Sequence, residues 1–218
     1  MAKVYISERA NGRLARYLAE KGREVVYVRA ASNVYAAVSA HPDIYMCAIT
    51  DGTERRIIRA RVQEPGFAYP DCIAFNALCL DKYFVHNLRY TDARLLNAAV
   101  AAGKQTVNVR QGYTKCSAVV VDGESVITAD NGLAAALEAL GDVNVLRIQP
   151  GYVSLPGHSY GFLGGASGRV DDELVFSGDL SVHPDFAAIC DFVQKRGVKL
   201  KYFPEYPLED IGSIIEDS

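Results

Sequence analysis

Hydrophobic and polar positions follow one pattern in four stretches of the chain. Each stretch has a polar start, about three turns of apolar residues at helical spacing, a glycine, and a short strand of β-branched or aromatic residues. A glycine there suits the left-handed residue that ends a helix, and Thr91, Asp130 and Ser181 are predicted helix caps. The four stretches are ANGRLARYLAEKGREVVYV, TDARLLNAAVAAGKQTVNV, ADNGLAAALEALGDVNVLRI and HPDFAAICDFVQKRGVKLKYF.

Two short strands joined by a turn precede three of these helices. The Asp122-Gly123 and Asp171-Asp172 steps predict hairpin turns in them. The first helix has only KVYIS before it, but SII near the C-terminus supplies the strand that is missing from its sheet. The repeating unit is therefore ββαβ, and the two ends of the chain are predicted to pair in one sheet. The three strand pairs lie in CIAFNALCLDKYFVHN, SAVVVDGESVITAD and FLGGASGRVDDELVFSGD.

A fifth, degraded unit is predicted between residues 30 and 71. Its two strands are DIYMCAI and RRIIRA, the turn TDGT joins them, and its helix is missing or reduced to NVYAAVS. The glycine spacing agrees, because Gly22 and Gly103 are separated by about twice the distance from Gly103 to Gly141. We therefore expect one domain over residues 1–218, in which five units form a ring. Closing the ring removes the exposed edges of an open sheet.

A ring of five ββαβ units resembles the pentein, or β/α-propeller, superfamily. That group includes arginine deiminase, dimethylarginine dimethylaminohydrolase, the amidinotransferases and the ribosome anti-association factor called translation initiation factor six. The resemblance implies an α/β fold, a five-bladed β/α-propeller closed by the two termini. The segments NLRYTDARLL, VNVRQGYTKCS, GFLGGASG and GDLSVHPDF are also similar to a bacterial family of pentein-like proteins.

Composition and charge limit the classes of molecule that the chain is expected to bind. The net charge of −3 supplies no basic field, so nucleic acid is disfavoured as a partner. No run approaches the ~20 apolar residues of a membrane helix, and the N-terminus lacks an apolar signal core, so we expect a soluble cytoplasmic protein without a membrane partner. The five cysteines form no CxxC pair, which predicts free thiols. No HExxH or similar motif is present, and we expect neither a metal nor a cofactor.

The residues just ahead of each unit's first strand are predicted to meet near the axis of the ring. In this alignment they are Asp43, Asp71, Cys116, Gly161 and Gly212, and His158 stands three residues ahead of its glycine. Two carboxylates at one place attract a small cationic molecule, and the planar donors of a guanidinium pair well with carboxylates. A thiol with a pKa near 8.5 needs a neighbouring cation or base before it attacks.

The pentein resemblance implies a chemistry for this group. In the catalytic relatives, acids clamp a guanidinium, a thiolate attacks its central carbon, a histidine moves protons, and water releases a covalent thiouronium. By that resemblance Cys116 is the predicted nucleophile and His158 the proton carrier. The predicted substrate-binding residues are Asp43, Asp71, Asn87 and Asp179.

Each of these residues also has a structural interpretation. Cys116 is compatible with a packed core thiol, Pro-Asp steps make turns, strand-end residues such as Asn87 and Asp179 begin helices or turns, and His41 is predicted to be a loop residue. In the catalytic relatives the cysteine usually enters the final blade, whereas Cys116 is central. Two functions therefore remain: a hydrolase or transferase of guanidines or amidines, and a non-catalytic binding module like the initiation factor.

Overall fold

The computed structural model describes residues 1–51, 54–61 and 65–217, and they form a mixed α/β structure. The strands make four three-stranded sheets and one two-stranded sheet. The described chain also contains six α-helices. The mixed α/β class agrees with the sequence prediction. None of the described helices has both the length and the apolar character needed to cross a membrane.

The four three-stranded sheets share one connectivity. In each, the middle strand pairs antiparallel with the first strand and parallel with the third. The sheets, in order, are β14 (Ile215–Asp217), β1 (Lys3–Ser7) and β2 (Glu24–Val28); β5 (Leu78–Cys79), β6 (Tyr83–His86) and β7 (Gln105–Asn108); β8 (Ala118–Asp122), β9 (Ser125–Thr128) and β10 (Asn144–Arg147); and β11 (Ser167–Val170), β12 (Glu173–Phe176) and β13 (Lys199–Lys201).

Four helices join the middle strand of a sheet to its third strand, which confirms the repeating helix-to-strand pattern. They are α1 (Gly12–Glu20), α3 (Ala93–Ala101), α5 (Asn131–Glu138) and α6 (Phe186–Gln194). Two single-turn helices, α2 (Pro42–Tyr45) and α4 (Thr114–Ser117), lead into β3 (Met46–Asp51) and β8. The glycines after the four long helices have left-handed φ values, as predicted: Gly22 at 74°, Gly103 at 73°, Gly141 at 81° and Gly197 at 67°.

The predicted helix caps are only partly correct. Asp130 caps α5 by accepting a hydrogen bond from the Leu133 amide. Thr91 is wrong, because Asp92 caps α3 and stands one residue closer to the amides that need a partner. Ser181 is also wrong: α6 begins five residues later, and the Ser181 amide donates to Asp179 instead.

The two-stranded sheet pairs β3 with β4 (Glu54–Arg59) in the predicted antiparallel hairpin. The predicted turn at residues 52 and 53 lies outside the described residues. Residues 32–40 form turns in place of a helix, and Val34 and Val38 pack on Ile44 of α2. Arg9 holds this segment through hydrogen bonds to the Ala36 carbonyl at 2.6 Å and Ser39 Oγ at 3.0 Å. The segment therefore covers the start of α2.

The apolar core lies between neighbouring sheets. One cluster joins Val119 and Ile127 of the β8–β9 pair to Leu174 and Phe176 of β12 and to Ile189 of α6. Other clusters join the β5–β6 pair to the β8–β9 pair, and the β1–α1 unit to the β11–β12 pair. The first strands also contact one another: β8 contacts β11, β11 contacts β14, β14 contacts β3, and β3 contacts β5. Successive units are thus packed side by side.

His86 predicts a pH dependence of stability. Its ring is fully buried between Thr91 Oγ1 at 2.7 Å and the Gly112 carbonyl at 2.9 Å, and burial lowers its pKa from 6.5 to about 4. The unfolded chain therefore binds an extra proton between these values, so this stability is present above pH 6.5 and is lost as the pH falls toward 4. We expect a loss of about 3 kcal/mol.

Urea unfolding at several pH values measures this effect. The control is His86→Gln, which has no titratable group at this position. This variant should have a lower free energy of unfolding than the native chain near neutral pH. On acidification its free energy of unfolding should fall less steeply than that of the native chain. The same pH slope in both proteins would contradict the assignment.

Candidate active site at Cys116

Cys116 lies on the single turn α4, directly ahead of β8. The turn is fixed by Asn76, whose Oδ1 accepts the backbone amides of Lys115 and Cys116, both at 3.1 Å. The same side chain donates from Nδ2 to the Cys116 Sγ at 3.1 Å. Cys116 is 3% exposed and Asn76 is fully buried. One asparagine therefore holds both the backbone and the thiol of this cysteine.

Asp43 faces this thiol from α2. Pro42 precedes it at the start of that turn, where a helix has no need of the missing N–H, and the Asp43 amide donates to the Gly212 carbonyl at 3.2 Å. Asp43 Oδ2 accepts hydrogen bonds from the Cys116 Sγ at 2.9 Å and from the Ser213 Oγ at 2.7 Å. Its other oxygen, Oδ1, is buried and has no hydrogen-bond partner within the part of the chain that the structure describes. That oxygen is free to accept a bond from a ligand.

His41 stands next to these groups. Its Nδ1 is buried, has no hydrogen-bond partner among residues 1–51, 54–61 and 65–217, and lies 3.8 Å from Asp210 Oδ1. Asp210 accepts the amides of Phe162 at 2.9 Å and Gly212 at 3.0 Å. One ligand atom from each of His41, Asp43 and Cys116 lies within 4.8 Å of the others. An imidazole, a carboxylate and a thiol are also the groups that bind zinc, so these three residues are the set that could hold a metal here.

Burial and charge set the protonation of the site. The pKa of Cys116 is raised well above its usual value, first by burial and then by the negative charges of Asp43 and Asp210. Burial also raises the pKa of Asp210 and lowers the pKa of Lys115, against the attraction of Asp43. The free thiol is therefore protonated at neutral pH and donates to Asp43. A positively charged ligand would lower its pKa.

Two openings flank the site. The Lys115 Nζ donates to Ser213 Oγ at 3.1 Å, and Lys115 also lines a cavity of about 100 Å³ to which all five sheets contribute. We call it the central cavity; among its lining residues are Cys47, Cys79, Arg55, Arg169 and Glu216. A second pocket of about 130 Å³ includes His41 and Asp210 in its wall. His41 and Asp210 are thus the residues of the site that a ligand in this pocket would contact.

The structure brings together Cys116 and Asp43, and also Gly212, among the residues predicted to meet. Gly161 lies against Asp210, because a Cβ built on it would be 2.5 Å from the Asp210 Cβ. Asp71 does not meet the other predicted residues, and it is exposed. The reason is that β5 begins only at Leu78, so the residue two places ahead of that strand is Asn76. The predicted register was therefore five residues too early.

His158, Asn87 and Asp179 also lie apart from the described contacts of Cys116. His158 is in an exposed loop, where its ring meets Tyr35 edge-on at 6.1 Å. Asn87 donates to the Arg110 carbonyl at 3.2 Å, and Asp179 accepts the Ser181 amide at 3.0 Å. Asn87 and Asp179 thus make the local turn contacts that the structural interpretation predicts, and His41 occupies the place predicted for His158.

Sequence reasoning missed four residues of the site. Asn76 and Ser213 stand two places ahead of β5 and β14, as Cys116 does ahead of β8, so a correct strand register would have found both. His41 is in the loop position predicted for it, directly ahead of α2, but the sequence does not indicate that it lies beside Cys116. Asp210 lies on the connection from β13 to β14, and no sequence pattern in that connection predicts that it belongs to the site.

A comparison with known families places the sequence. Residues 5–215 match the model of a family described as "Family of unknown function (DUF6873)". The chain belongs to this family. No curated protein matches it. The match of this DUF6873 protein covers the whole candidate site, from His41 to Ser213.

Proposed function

We propose that the five sheets form a five-bladed β/α-propeller of the pentein type, in which the β3–β4 blade lacks a helix and a third strand. The shared connectivity of the four three-stranded sheets supports this arrangement, as does the pairing of the chain ends through β14 and β1. The contacts between first strands also support it, as does a cavity that is lined from all five sheets. On this proposal the Cys116 site lies at the axis.

We further propose that the chain is a cysteine-dependent hydrolase or transferase that acts on the guanidine or amidine group of a small molecule. The observation that carries the proposal is the contact between the Cys116 thiol and the buried Asp43 carboxylate, whose second oxygen has no partner, beside His41. An amidinium group brings N–H donors and a positive charge. It satisfies the free oxygen of Asp43 and offsets the charges of Asp43 and Asp210.

In the proposed reaction, bound substrate lowers the pKa of Cys116, and the thiol proton passes to His41. The thiolate forms an S–C bond to the central carbon of the guanidinium. The C–N bond then breaks as His41 gives a proton to the departing amine or ammonia, which leaves a thiouronium on Cys116. Water or an acceptor amine attacks that carbon, the S–C bond breaks, and the thiol regains a proton.

The geometry changes two of the roles that the sequence predicts. His41 replaces His158 as the proton carrier because one of its ring nitrogens lies within 4.8 Å of the Cys116 sulfur, and its buried Nδ1 has no hydrogen-bond partner among the described residues. Asp210 replaces Asp71 as the second acid because it lies 3.8 Å from His41. The substrate is small, since the pocket that reaches these two residues is only about 130 Å³.

Alkylation with limiting 2-chloroacetamidine, followed by peptide mass spectrometry, tests the function. The reagent carries the amidinium that the site is proposed to bind, so Cys116 should be modified first despite its burial. Cys190 is the internal reference because it is partly exposed on α6 and has no described hydrogen bond to an acid. The matched variant Cys116→Ala should lose the fast modification, whereas Cys190→Ala should keep it.

The binding-module alternative predicts a different result. A non-catalytic chain has no reason to concentrate an amidinium at one thiol, so all five cysteines would react slowly and in order of their exposure. Preferential modification of Cys190, with Cys116 slower, would contradict the proposed enzyme. Circular dichroism of both alanine variants checks that each still folds.

A further inference from the structure

Two other cysteines approach each other in the central cavity. Cys47 lies on β3 and Cys79 on β5, so they belong to different sheets. Their sulfur atoms are 3.6 Å apart. Both side chains line the central cavity, and Cys47 is 4% exposed whereas Cys79 is more accessible. Neither residue has a part in the chemistry proposed for Cys116.

The approach is close enough for a covalent bond. A disulfide needs about 2.05 Å between its sulfurs, so the two must move together by roughly 1.5 Å. The β3 and β5 strands already contact each other, so the proposed bond requires the two side chains to rotate toward each other and not the strands to be brought together. The Cys47 sulfur is turned toward the β5 side, because it also lies 3.4 Å from the Ala77 carbonyl.

Positive charge surrounds this pair. Lys115, Arg55 and Arg169 line the same cavity. Glu216, the one acid among its described lining residues, pairs with Arg23 at 2.7 Å and with Arg55 at 3.8 Å. Lys115 works to lower the pKa of Cys47, although the bond to Cys79 and burial raise it more. Cations beside a thiol favour the thiolate, which is the form that reacts with oxidants.

We propose that Cys47 and Cys79 form a reversible disulfide across the central cavity when the chain meets a small peroxide. In the first step the Cys79 thiolate attacks one oxygen of the peroxide, the O–O bond breaks, and water and a sulfenic acid on Cys79 result. In the second step the Cys47 sulfur attacks the Cys79 sulfur, an S–S bond forms, and the hydroxyl leaves as water. Two thiols are oxidised and one peroxide is reduced.

The volume of the cavity selects the oxidant. A volume of about 100 Å³ is several times the roughly 10–15 Å³ that one water needs, so hydrogen peroxide, which is little larger than water, fits beside Cys79. Glutathione disulfide is much larger than the cavity. The peroxide should therefore form the bond at least 10-fold faster than glutathione disulfide at equal concentration, although exchange with a disulfide would give the same product.

The test is oxidation of the native chain with a small excess of hydrogen peroxide. Remaining thiols are then blocked with N-ethylmaleimide under denaturing conditions, and the peptides are mapped by mass spectrometry. The expected product is an intramolecular Cys47–Cys79 link, formed before Cys116 is oxidised and removed by dithiothreitol. In Cys47→Ser a sulfenic acid on Cys79 should accumulate and react with dimedone, while Cys190→Ala should form the link as the native chain does.

Three results would overturn the proposal. One is that Cys47 and Cys79 are still both blocked by N-ethylmaleimide after Cys116 has been oxidised. Another is that Cys79 is linked to a cysteine other than Cys47. The last is equal rates with hydrogen peroxide and glutathione disulfide, which would show that access through the small cavity does not govern the reaction. The first two readouts use the native chain, so they do not depend on the folding of a variant.

Discussion

Alkylation of Cys116 by 2-chloroacetamidine is expected to slow by about 10²- to 10³-fold when Asp43 is replaced by Asn. The asparagine keeps the shape of the side chain but removes the charge that attracts the amidinium. We expect this loss to outweigh the gain in thiolate that follows when Asp43 no longer raises the pKa of Cys116. A unit charge about 4 Å away contributes roughly 4 kcal/mol at an effective dielectric constant near 20, and each 1.4 kcal/mol is about tenfold in rate. Rate constants from peptide mass spectrometry at about pH 8 measure the effect.

Ser213→Ala is the matched control for this substitution. It removes the hydroxyl that donates to Asp43 Oδ2 but leaves the carboxylate in place, so the amidine reagent should remain much faster than in Asp43→Asn. The same rate in the native chain and in Asp43→Asn would show that the carboxylate does not recruit the cation. Thermal unfolding of both variants shows whether either has lost its fold.

Gly212→Ala is expected to lower the free energy of unfolding by about 2–5 kcal/mol. Gly212 has a φ of 72°, which disfavours any residue with a Cβ. A Cβ here would also lie 2.1 Å from the Cβ of His41, so His41 would have to move. The glycine therefore allows the β13–β14 connection to press against the residue that we propose as the proton carrier.

Gly141→Ala separates the cost of the left-handed backbone from the cost of the clash with His41. Gly141 has a similar φ of 81°, but a Cβ on it would meet nothing within 4 Å. We expect it to lose only about 1–2 kcal/mol, the cost of the left-handed backbone alone. Urea unfolding gives both values. Equal losses in the two variants would contradict the close packing of Gly212 on His41.

The secondary structure was predictable wherever periodicity was strong. The four long helices carry apolar residues at helical spacing, and a glycine with a left-handed φ follows each of them. Their presence and their C-terminal ends therefore followed from the sequence. The pairing of β14 with β1 followed from the sequence because only one strand, β1, precedes α1, whereas two strands precede the helix in the other three units. The start of β5 was missed, because Cys72–Leu80 is apolar almost throughout and only Leu78–Cys79 is a strand.

The residues of the candidate site were likewise predictable only where the start of the neighbouring strand was clear from the sequence. Cys116 and Asp43 were predicted because each lies two or three residues ahead of a strand that the sequence marks clearly, although a single helical turn, α4 or α2, holds each of them. Asn76 was hidden by the misplaced β5, and Asp71 was chosen in its place. Asp210 lies in a connection whose course is set by tertiary contacts, such as the bond from the Asp210 amide to the Ser154 carbonyl at 2.9 Å. Local pattern has no access to such contacts.

The most direct test of the account compares 2-chloroacetamidine with neutral 2-chloroacetamide on the native chain. The central claim is that the Asp43 carboxylate and the Cys116 thiol form one cation-binding, nucleophilic site. It predicts an amidine-to-amide rate ratio at Cys116 at least about 100 times the ratio at Cys190. Equal ratios at the two cysteines would contradict the claim.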